Sequence, residues 1–205
     1  HVLGNAVDMG KLLNIVKKSK LILIEDTCES LGSKFKNKYL GGFGDFSTFS
    51  FYYSHQITSA EGGMISCKSS EDFEILKALR SHGYSRVLKD RKKIEKKYNK
   101  IDSRFLFTNS GFNFRPTEIQ AAIGLSQFKS LDDFAKQRSL NRKKIIQSLT
   151  RDELWNSQVS FLNENKNVKA SWFGLPILFN KKYRNKKPKI IKKLNDLGID
   201  TRPII

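Results

Sequence analysis

Several polar residues in the first third of the sequence have the chemistry of an active site. Glu25 and Asp26 directly follow an apolar run at residues 21–24, and Ser50 precedes His55 by five positions. A free imidazole can take up and return a proton near neutral pH. A hydroxyl can donate a hydrogen bond to a phosphate. These residue types therefore suit proton transfer beside a bound anion.

The elements predicted around the acidic pair are half of a βαβ unit. A helix is predicted after a capping Asp8, with apolar residues at helical spacing: Met9, Leu12, Leu13 and Val16. Residues 21–24 are predicted to form a fully buried strand that ends at Glu25 and Asp26. Because open α/β sheets bind ligands at the carboxyl ends of their strands, the pair lies at a candidate site.

The next segments are predicted to continue the sheet. Asn37 and Lys38 are expected to turn a small hairpin, and residues 46–51 and 64–67 are predicted strands. A helix capped by Ser69 or Ser70 follows. Residues 86–100 are mostly polar or charged and are expected to form an exposed, mobile loop.

The second half is predicted to begin with a helix that bridges two lobes. It would run from Pro116, in its first turn, to about Leu149. A strand at 170–178, a lysine-rich helix through 190–194 and a returning strand at 199–205 are predicted to follow. These elements indicate a mixed α/β chain. We expect residues 1–130 to belong to a large domain, and 131–205 to hold the bridging helix and the start of a small α+β domain.

Composition limits the class of protein. The 205 residues include no apolar run long enough to span a bilayer, so no membrane association is expected. Two cysteines are too few for a disulfide scaffold or a four-thiolate metal site, which favours a reducing, cytoplasmic location. The sequence starts without a signal-like segment, and both ends look cut, so we expect an internal fragment of a longer protein.

The formal net charge of +18 raises the possibility of nucleic-acid binding. The lysines are spread over predicted helix faces and loops, with few aromatic residues to stack on bases. The favoured interpretation is a set of solvated helix faces, and no nucleic-acid partner is expected. A basic field would also suit an anionic small substrate such as a nucleotide diphosphate.

Four segments in this order resemble the DegT/DnrJ/EryC1/StrS family of vitamin B6-dependent sugar aminotransferases and dehydratases. They are EDTCESLG at 25–32, GDFSTFSF at 44–51, His55 ahead of EGGM at 61–64, and GFNFRPTEIQAA at 111–122. The resemblance extends over essentially the whole chain. It implies the fold type I, aspartate aminotransferase-like architecture, with a large cofactor-binding domain and a small α+β C-terminal domain.

The resemblance implies a cofactor role for four polar residues. Asp26 would face the pyridine nitrogen of pyridoxal or pyridoxamine 5'-phosphate and keep it protonated. Glu29 would lie near the ring hydroxyl and Ser50 would bind the phosphate, while Asn113 would reach the same phosphate across a homodimer interface. The structural alternatives are a helix-capping Asp, an exposed helical Glu, a strand Ser and a turn Asn.

His55 stands where the family's aminotransferases have the lysine that binds the cofactor covalently. Imidazole cannot form that bond, but it can act as a general base. The same replacement marks the family's 3-dehydratases, which use pyridoxamine 5'-phosphate to remove the C3 hydroxyl of a nucleotide-linked 4-keto-6-deoxy sugar. The alternatives are an aminotransferase that uses another lysine, a catalytically dead paralogue with a structural His55, and a basic interaction module.

The resemblance also narrows the dehydratase type and its partners. One type carries an iron–sulfur cluster that needs four thiolates, whereas only Cys28 and Cys67 are present, so the metal-free type, for which the nucleotide is GDP, is favoured. Glutamate would then restore the amine form of the cofactor, in a pathway to deoxysugars of lipopolysaccharide. Arg115 and Arg202 could bind a sugar diphosphate or a glutamate carboxylate, or be surface arginines.

Overall fold

The computed structural model describes residues 1–153, 155 and 158–204, and its helices and strands are mixed along the chain. In order, they are α1 (Met9–Ser19), β1 (Ile24–Asp26), β2 (Lys34–Phe35), β3 (Lys38–Tyr39), β4 (Phe46–Ser50), β5 (Gly63–Cys67), α2 (Ser70–Arg80), α3 (Arg91–Lys97), α4 (Glu118–Phe128), α5 (Leu131–Arg151), β6 (Val159–Phe161), β7 (Val168–Lys169), β8 (Ile177–Phe179) and α6 (Lys187–Asp196). The predicted α/β class is confirmed.

β4 is the central strand of the sheet that supports the candidate site. It pairs in parallel with β1, with Asp26 opposite Thr48, and antiparallel with β5, with Ser50 opposite Gly63. Asp26 and Ser50 therefore lie at the carboxyl ends of neighbouring parallel strands. This is the edge at which open α/β sheets bind ligands.

A second small sheet joins the two halves of the chain. The predicted hairpin is confirmed as β2 and β3, but its turn lies one residue earlier than predicted: Lys36 and Asn37 have left-handed backbone angles, φ 46° and 64°, and Lys38 belongs to β3. β7 pairs antiparallel with β2 on the other side. The main apolar core lies beside this sheet and consists of Ala6, Met9, Phe35, Leu40, Val168, Ala170 and Trp172. The domain division after residue 130 stays a prediction.

Both predicted helix caps in the first half are confirmed. The Asp8 carboxylate accepts a hydrogen bond from the Lys11 amide at 3.1 Å, and the Ser69 hydroxyl accepts from the Glu71 and Asp72 amides at 3.2 Å. Each cap satisfies amides at a helix start that have no partner within the helix.

The prediction of a fully buried strand at 21–24 is wrong. Regular pairing begins only at Ile24, and Leu21, Ile22 and Ile24 are 53%, 74% and 63% exposed. A parallel strand is buried only where other elements cover both of its faces. The part of the chain that the structure describes leaves these three side chains open.

The segment 86–100 is not a continuous loop, because it contains α3. The Arg91 Nε atom lies 2.6 Å from Glu95 Oε1, one helical turn further on. Such pairs stabilise a helix whose faces are polar all round. The polarity that predicted a loop here also suits a short solvated helix.

The long bridging helix is two helices. α4 starts at a capping box in which Thr117 and Gln120 exchange hydrogen bonds, so Pro116 precedes the cap instead of lying in the first turn. α4 ends at Phe128, and the Ser130 amide turns back to the Gln127 carbonyl at 3.0 Å before α5 begins. Ser130 occupies the N-cap position of α5, where serine is favoured.

Two strands predicted in the second half are also corrected. Of the predicted strand 170–178, only the last two residues are in a strand, β8 (Ile177–Phe179). The preceding backbone bonds elsewhere, since the Phe173 amide donates to the Leu3 carbonyl at 3.0 Å. No strand is found at 199–204, where the described chain offers no pairing partner, and Ile205 lies outside the described residues. The lysine-rich helix is confirmed as α6. No helix among the described residues is long and apolar enough to cross a membrane.

Candidate functional site

Asp26 presents an ionised carboxylate at the end of β1. Its Oδ1 accepts a hydrogen bond from the Cys28 amide at 3.0 Å and contacts the Thr48 hydroxyl at 3.5 Å. The Cys28 amide is the main cause of the lowered pKa of Asp26, and side-chain hydrogen bonding adds to it. Asp26 is exposed, and the buried carboxylate at the end of this strand is that of its neighbour Glu25.

Glu25 fixes the loop that enters β4. Its side chain is buried, and its two oxygens accept hydrogen bonds from the amides of Gly41 at 2.9 Å, Phe43 at 2.6 Å and Gly44 at 2.5 Å. The His1 side chain donates to the same carboxylate at 3.0 Å. A buried carboxylate is tolerated when such donors satisfy it. Glu25 thereby sets the path of the chain into the strand that carries Ser50.

We expect Glu25→Gln to lower the free energy of unfolding by about 2 kcal/mol. The amide NH₂ would face backbone donors that now meet a carboxylate oxygen. Urea denaturation measures the loss. The matched control is Glu118→Gln at the exposed start of α4, where the loss should stay under about 1 kcal/mol. Equal losses in the two variants would contradict this role of Glu25.

The proton on His55 is assigned by its partner. His55 Nδ1 lies 2.7 Å from the Cys28 carbonyl oxygen, which can only accept a hydrogen bond. Nδ1 must therefore donate, and the neutral ring has its lone pair on Nε2. Within the described ranges no protein group forms a hydrogen bond with Nε2. The side chain is thus set to accept a proton at Nε2.

Two aromatic rings contact the imidazole edge to face. The Tyr52 ring centroid is 5.9 Å from that of His55 at an interplanar angle of 90°, and the Phe173 centroid is 5.1 Å away at 75°. Tyr52 belongs to the same loop, whereas Phe173 comes from the segment between β7 and β8. Neither ring has a signal in the sequence that connects it with His55.

Ser50 and Glu29 lie next to this centre. The Ser50 hydroxyl oxygen accepts a hydrogen bond from the Tyr52 amide at 3.3 Å, which leaves its proton free to donate to a ligand. The Glu29 carboxylate accepts from the Leu3 amide at 2.7 Å, and its carbonyl accepts from the Gln56 side chain. The chain therefore brings Asp26, Glu29, Ser50 and His55 to one edge of the sheet.

Asn113 and Arg115 lie elsewhere, beside the end of α2. Asn113 forms a β-bridge with Ser81, and its side-chain oxygen accepts from Arg115 Nε at 3.2 Å. Arg115 also reaches His82 Nε2 at 3.4 Å. His82 has a left-handed backbone, φ 60°, and its contact with Arg115 has no signal in the sequence.

The charge of Arg202 acts on Tyr52 in the His55 loop. Partial desolvation raises the pKa of the Tyr52 phenol, and the charge of Arg202 opposes that rise. Its own ion pair with Asp200 is long, 3.9 Å, and exposed. The Arg202 guanidinium is therefore not held in a close ion pair with Asp200.

The chain is similar to one family of known proteins. The family model of the DegT/DnrJ/EryC1/StrS aminotransferase family matches residues 1–205. A GDP-4-keto-6-deoxy-D-mannose 3-dehydratase of Escherichia coli O55:H7 is 33% identical over 207 residues, covering 100% of this chain and 52% of the relative. A GDP-perosamine synthase of Escherichia coli O157:H7 is 31% identical over 204 residues, covering 100% and 50%.

A solved structure has the same fold. It is that of the E. coli GDP-4-keto-6-deoxy-D-mannose 3-dehydratase with bound hydrated PLP, and it superposes with a TM-score of 0.85 at 32% identity, covering 100% of this chain and 51% of that one. The aspartate aminotransferase-like fold predicted from the sequence is confirmed. The chain spans about half the length of the curated relatives it matches.

Proposed function

Because the chain belongs to the DegT/DnrJ/EryC1/StrS aminotransferase family, we propose that its protein is a pyridoxamine 5'-phosphate-dependent 3-dehydratase. Its substrate would be a nucleotide-linked 4-keto-6-deoxy sugar, with GDP as the favoured nucleotide. The similarity to the E. coli 3-dehydratase, 33% identity over the whole chain, supports this choice within the family. The product would be a 3-deoxy sugar for lipopolysaccharide synthesis.

The observation that carries the proposal is the state of His55. Aminotransfer in this family depends on a lysine at this position, and here an imidazole donates from Nδ1 to the Cys28 carbonyl and keeps Nε2 open. An imidazole that is held through Nδ1 and open at Nε2 suits a general base. It leaves the cofactor untethered, as a reaction that starts from the amine form requires.

The residues at the sheet edge fit such a cofactor. Asp26 is ionised and exposed, so it can hold a protonated pyridine nitrogen. The Ser50 hydroxyl can donate to the phosphate, and Glu29, whose carboxylate accepts from the Leu3 amide, would lie near the ring hydroxyl. When bound, pyridoxamine 5'-phosphate would supply the amine that condenses with the C4 ketone and the electron sink for loss of the C3 hydroxyl.

His55 would move the proton in this chemistry. Nε2 accepts the proton that is released, and the imidazolium keeps its Nδ1 hydrogen bond to the Cys28 carbonyl at 2.7 Å. That bond strengthens when the ring is charged, because a charged donor forms the stronger hydrogen bond. The same Nε2 can later return the proton.

We also propose a cytoplasmic homodimer with a shared active site, with glutamate as the amino donor. Asn113 lies beside Ser81, away from the His55 loop of its own chain. It could serve a phosphate at Ser50 if a second subunit delivered it. Arg115, which donates a hydrogen bond to Asn113, would then come from the second subunit as well. Arg202 would instead bind a substrate anion at the site of its own subunit.

Mass spectrometry of the products tests this function. The full-length protein with glutamate and pyridoxamine 5'-phosphate is offered GDP-, CDP- and dTDP-linked 4-keto-6-deoxy sugars. We expect one of them to lose the C3 hydroxyl and to carry no nitrogen after the reaction. An amino group retained on the sugar would contradict the proposal.

The second candidate is a sugar aminotransferase, which the 31% identity to GDP-perosamine synthase favours. It would need a lysine other than one at position 55. In the described part of the chain, no lysine forms a hydrogen bond or ring contact with His55. Retained nitrogen in the product would support this candidate.

A further inference from the structure

We propose that Phe173 is a positioning residue for His55, an inference that rests on the proposed function of His55 as the base. Phe173 lies in the second half of the chain, and its ring contacts the imidazole edge to face at a centroid distance of 5.1 Å. We infer that this contact fixes the direction of the Nε2 lone pair. Because Arg138 of α5 donates a hydrogen bond to the Phe173 carbonyl, that helix would help to align the base at the sheet edge.

One hydrogen bond is not enough to orient the imidazole. The bond from Nδ1 to the Cys28 carbonyl fixes one atom and leaves the ring free to swing about that bond. Tyr52 limits the swing at 5.9 Å, but it belongs to the same loop as His55 and moves with it. Phe173 supplies a contact from outside the loop, in the edge-to-face arrangement that aromatic rings prefer.

The segment that carries Phe173 is anchored at several points. The Phe173 amide donates to the Leu3 carbonyl at 3.0 Å, and the Phe173 carbonyl accepts from Nη1 of Arg138 on α5 at 3.2 Å. The same guanidinium reaches the Trp172 carbonyl at 3.4 Å, and the Ser171 amide donates to the Ser33 hydroxyl at 2.9 Å. The ring therefore rests on a fixed backbone.

The neighbouring tryptophan adds a second anchor to α5. Trp172 is 3% exposed within the main core, and the Arg142 guanidinium lies 4.2 Å from its ring centroid. Burial lowers the pKa of Arg138 and Arg142. Both arginines donate hydrogen bonds to backbone carbonyls in the 162–173 region, and these bonds hold that region against α5.

The test compares Phe173→Leu with Phe173→Tyr in the full-length protein. We expect the leucine variant to lower kcat for dehydration about tenfold, because a base displaced by an ångström loses rate. KM should stay within about twofold, since the substrate contacts are unchanged. Phe173→Tyr keeps the ring and should restore kcat to within about twofold of the wild type.

The matched control is Phe161→Leu. Phe161 is also half-buried in the second half of the chain and stacks on Trp155 at a centroid distance of 5.6 Å. It makes no ring contact with His55 in the described residues. A fall in kcat equal to that of Phe173→Leu would show general loosening and overturn the inference.

A second readout needs neither cofactor nor turnover. The nitrogen chemical shifts of ¹⁵N-labelled histidine report which ring nitrogen carries the proton. We expect the neutral His55 ring to be protonated on Nδ1 in the wild type. In Phe173→Leu we expect a mixture of both forms, because a ring without the Phe173 contact leaves the Cys28 carbonyl part of the time. If Phe173→Leu does not fold, Arg138→Gln, which removes the bonds to the Trp172 and Phe173 carbonyls, should produce the same mixture.

The two readouts separate the inference from the proposed function. A wild type that dehydrates its substrate, with kcat and the His55 spectrum unchanged in Phe173→Leu, overturns the positioning role alone. A wild type that leaves nitrogen on the sugar overturns the proposed function, and a His55 spectrum that still changes in Phe173→Leu then supports the positioning role independently.

Discussion

His55→Asn is expected to reduce the rate of dehydration by about 10³-fold. Asparagine can still donate to the Cys28 carbonyl that His55 Nδ1 now reaches at 2.7 Å, so the loop should keep its path. The amide has no site that accepts a proton near neutral pH. The measurement is single-turnover dehydration by the full-length protein loaded with pyridoxamine 5'-phosphate.

Cofactor binding provides the control for this variant. Asp26 and Ser50 are untouched by the substitution, so the dissociation constant for pyridoxamine 5'-phosphate should change by no more than about threefold. A variant that binds the cofactor and retains most of its dehydration rate would contradict the role of His55 as the base.

His55→Lys is expected to retain pyridoxal 5'-phosphate covalently. An amine at this position would lie beside the edge formed by Asp26 and Ser50, and an uncharged lysine amine there can attack the cofactor's aldehyde. Dehydration should fall about 10²-fold or more, because the base is lost and the free amine form is depleted. Absorbance after gel filtration away from free cofactor detects the bound form.

The exposure of the position decides whether this variant folds. His55 is half-buried, so a lysine should cost little stability, whereas a fully buried histidine would make it costly. A folded variant that elutes without cofactor absorbance would place His55 outside the catalytic position and favour the alternative of a basic interaction module.

Local signals predicted much of the first half of the fold. The cap at Asp8, the hairpin around Asn37, although its turn lies one residue earlier than predicted, and the cap at Ser69 are each set by side chains within a few residues. The helix break after Phe128 was missed, since serine within a long apolar pattern does not by itself show whether a helix is interrupted. The exposure of Leu21 depends on which elements cover it, which periodicity cannot tell.

The candidate site also combines residues that the sequence indicates with groups that only the structure reveals. Asp26, Ser50 and His55 have sequence signals because they lie at strand ends or replace a motif residue. The Cys28 carbonyl that assigns the His55 tautomer is a backbone group and has no side-chain signal. Phe173 lies far along the chain and reaches His55 only through the anchors on Arg138 and Leu3, so only the tertiary structure reveals it. The cofactor roles of Asp26, Glu29, Ser50 and Asn113 stay predictions.

Borohydride treatment of the wild-type protein tests the central claim, that His55 works as an untethered base in place of a lysine. The full-length protein is incubated with pyridoxal 5'-phosphate, reduced, digested and mapped by mass spectrometry, with His55→Lys treated in parallel. We expect no modified lysine in the active-site peptides of the wild type. In the variant, we expect residue 55 to be modified. A specific lysine adduct in the wild type would contradict it.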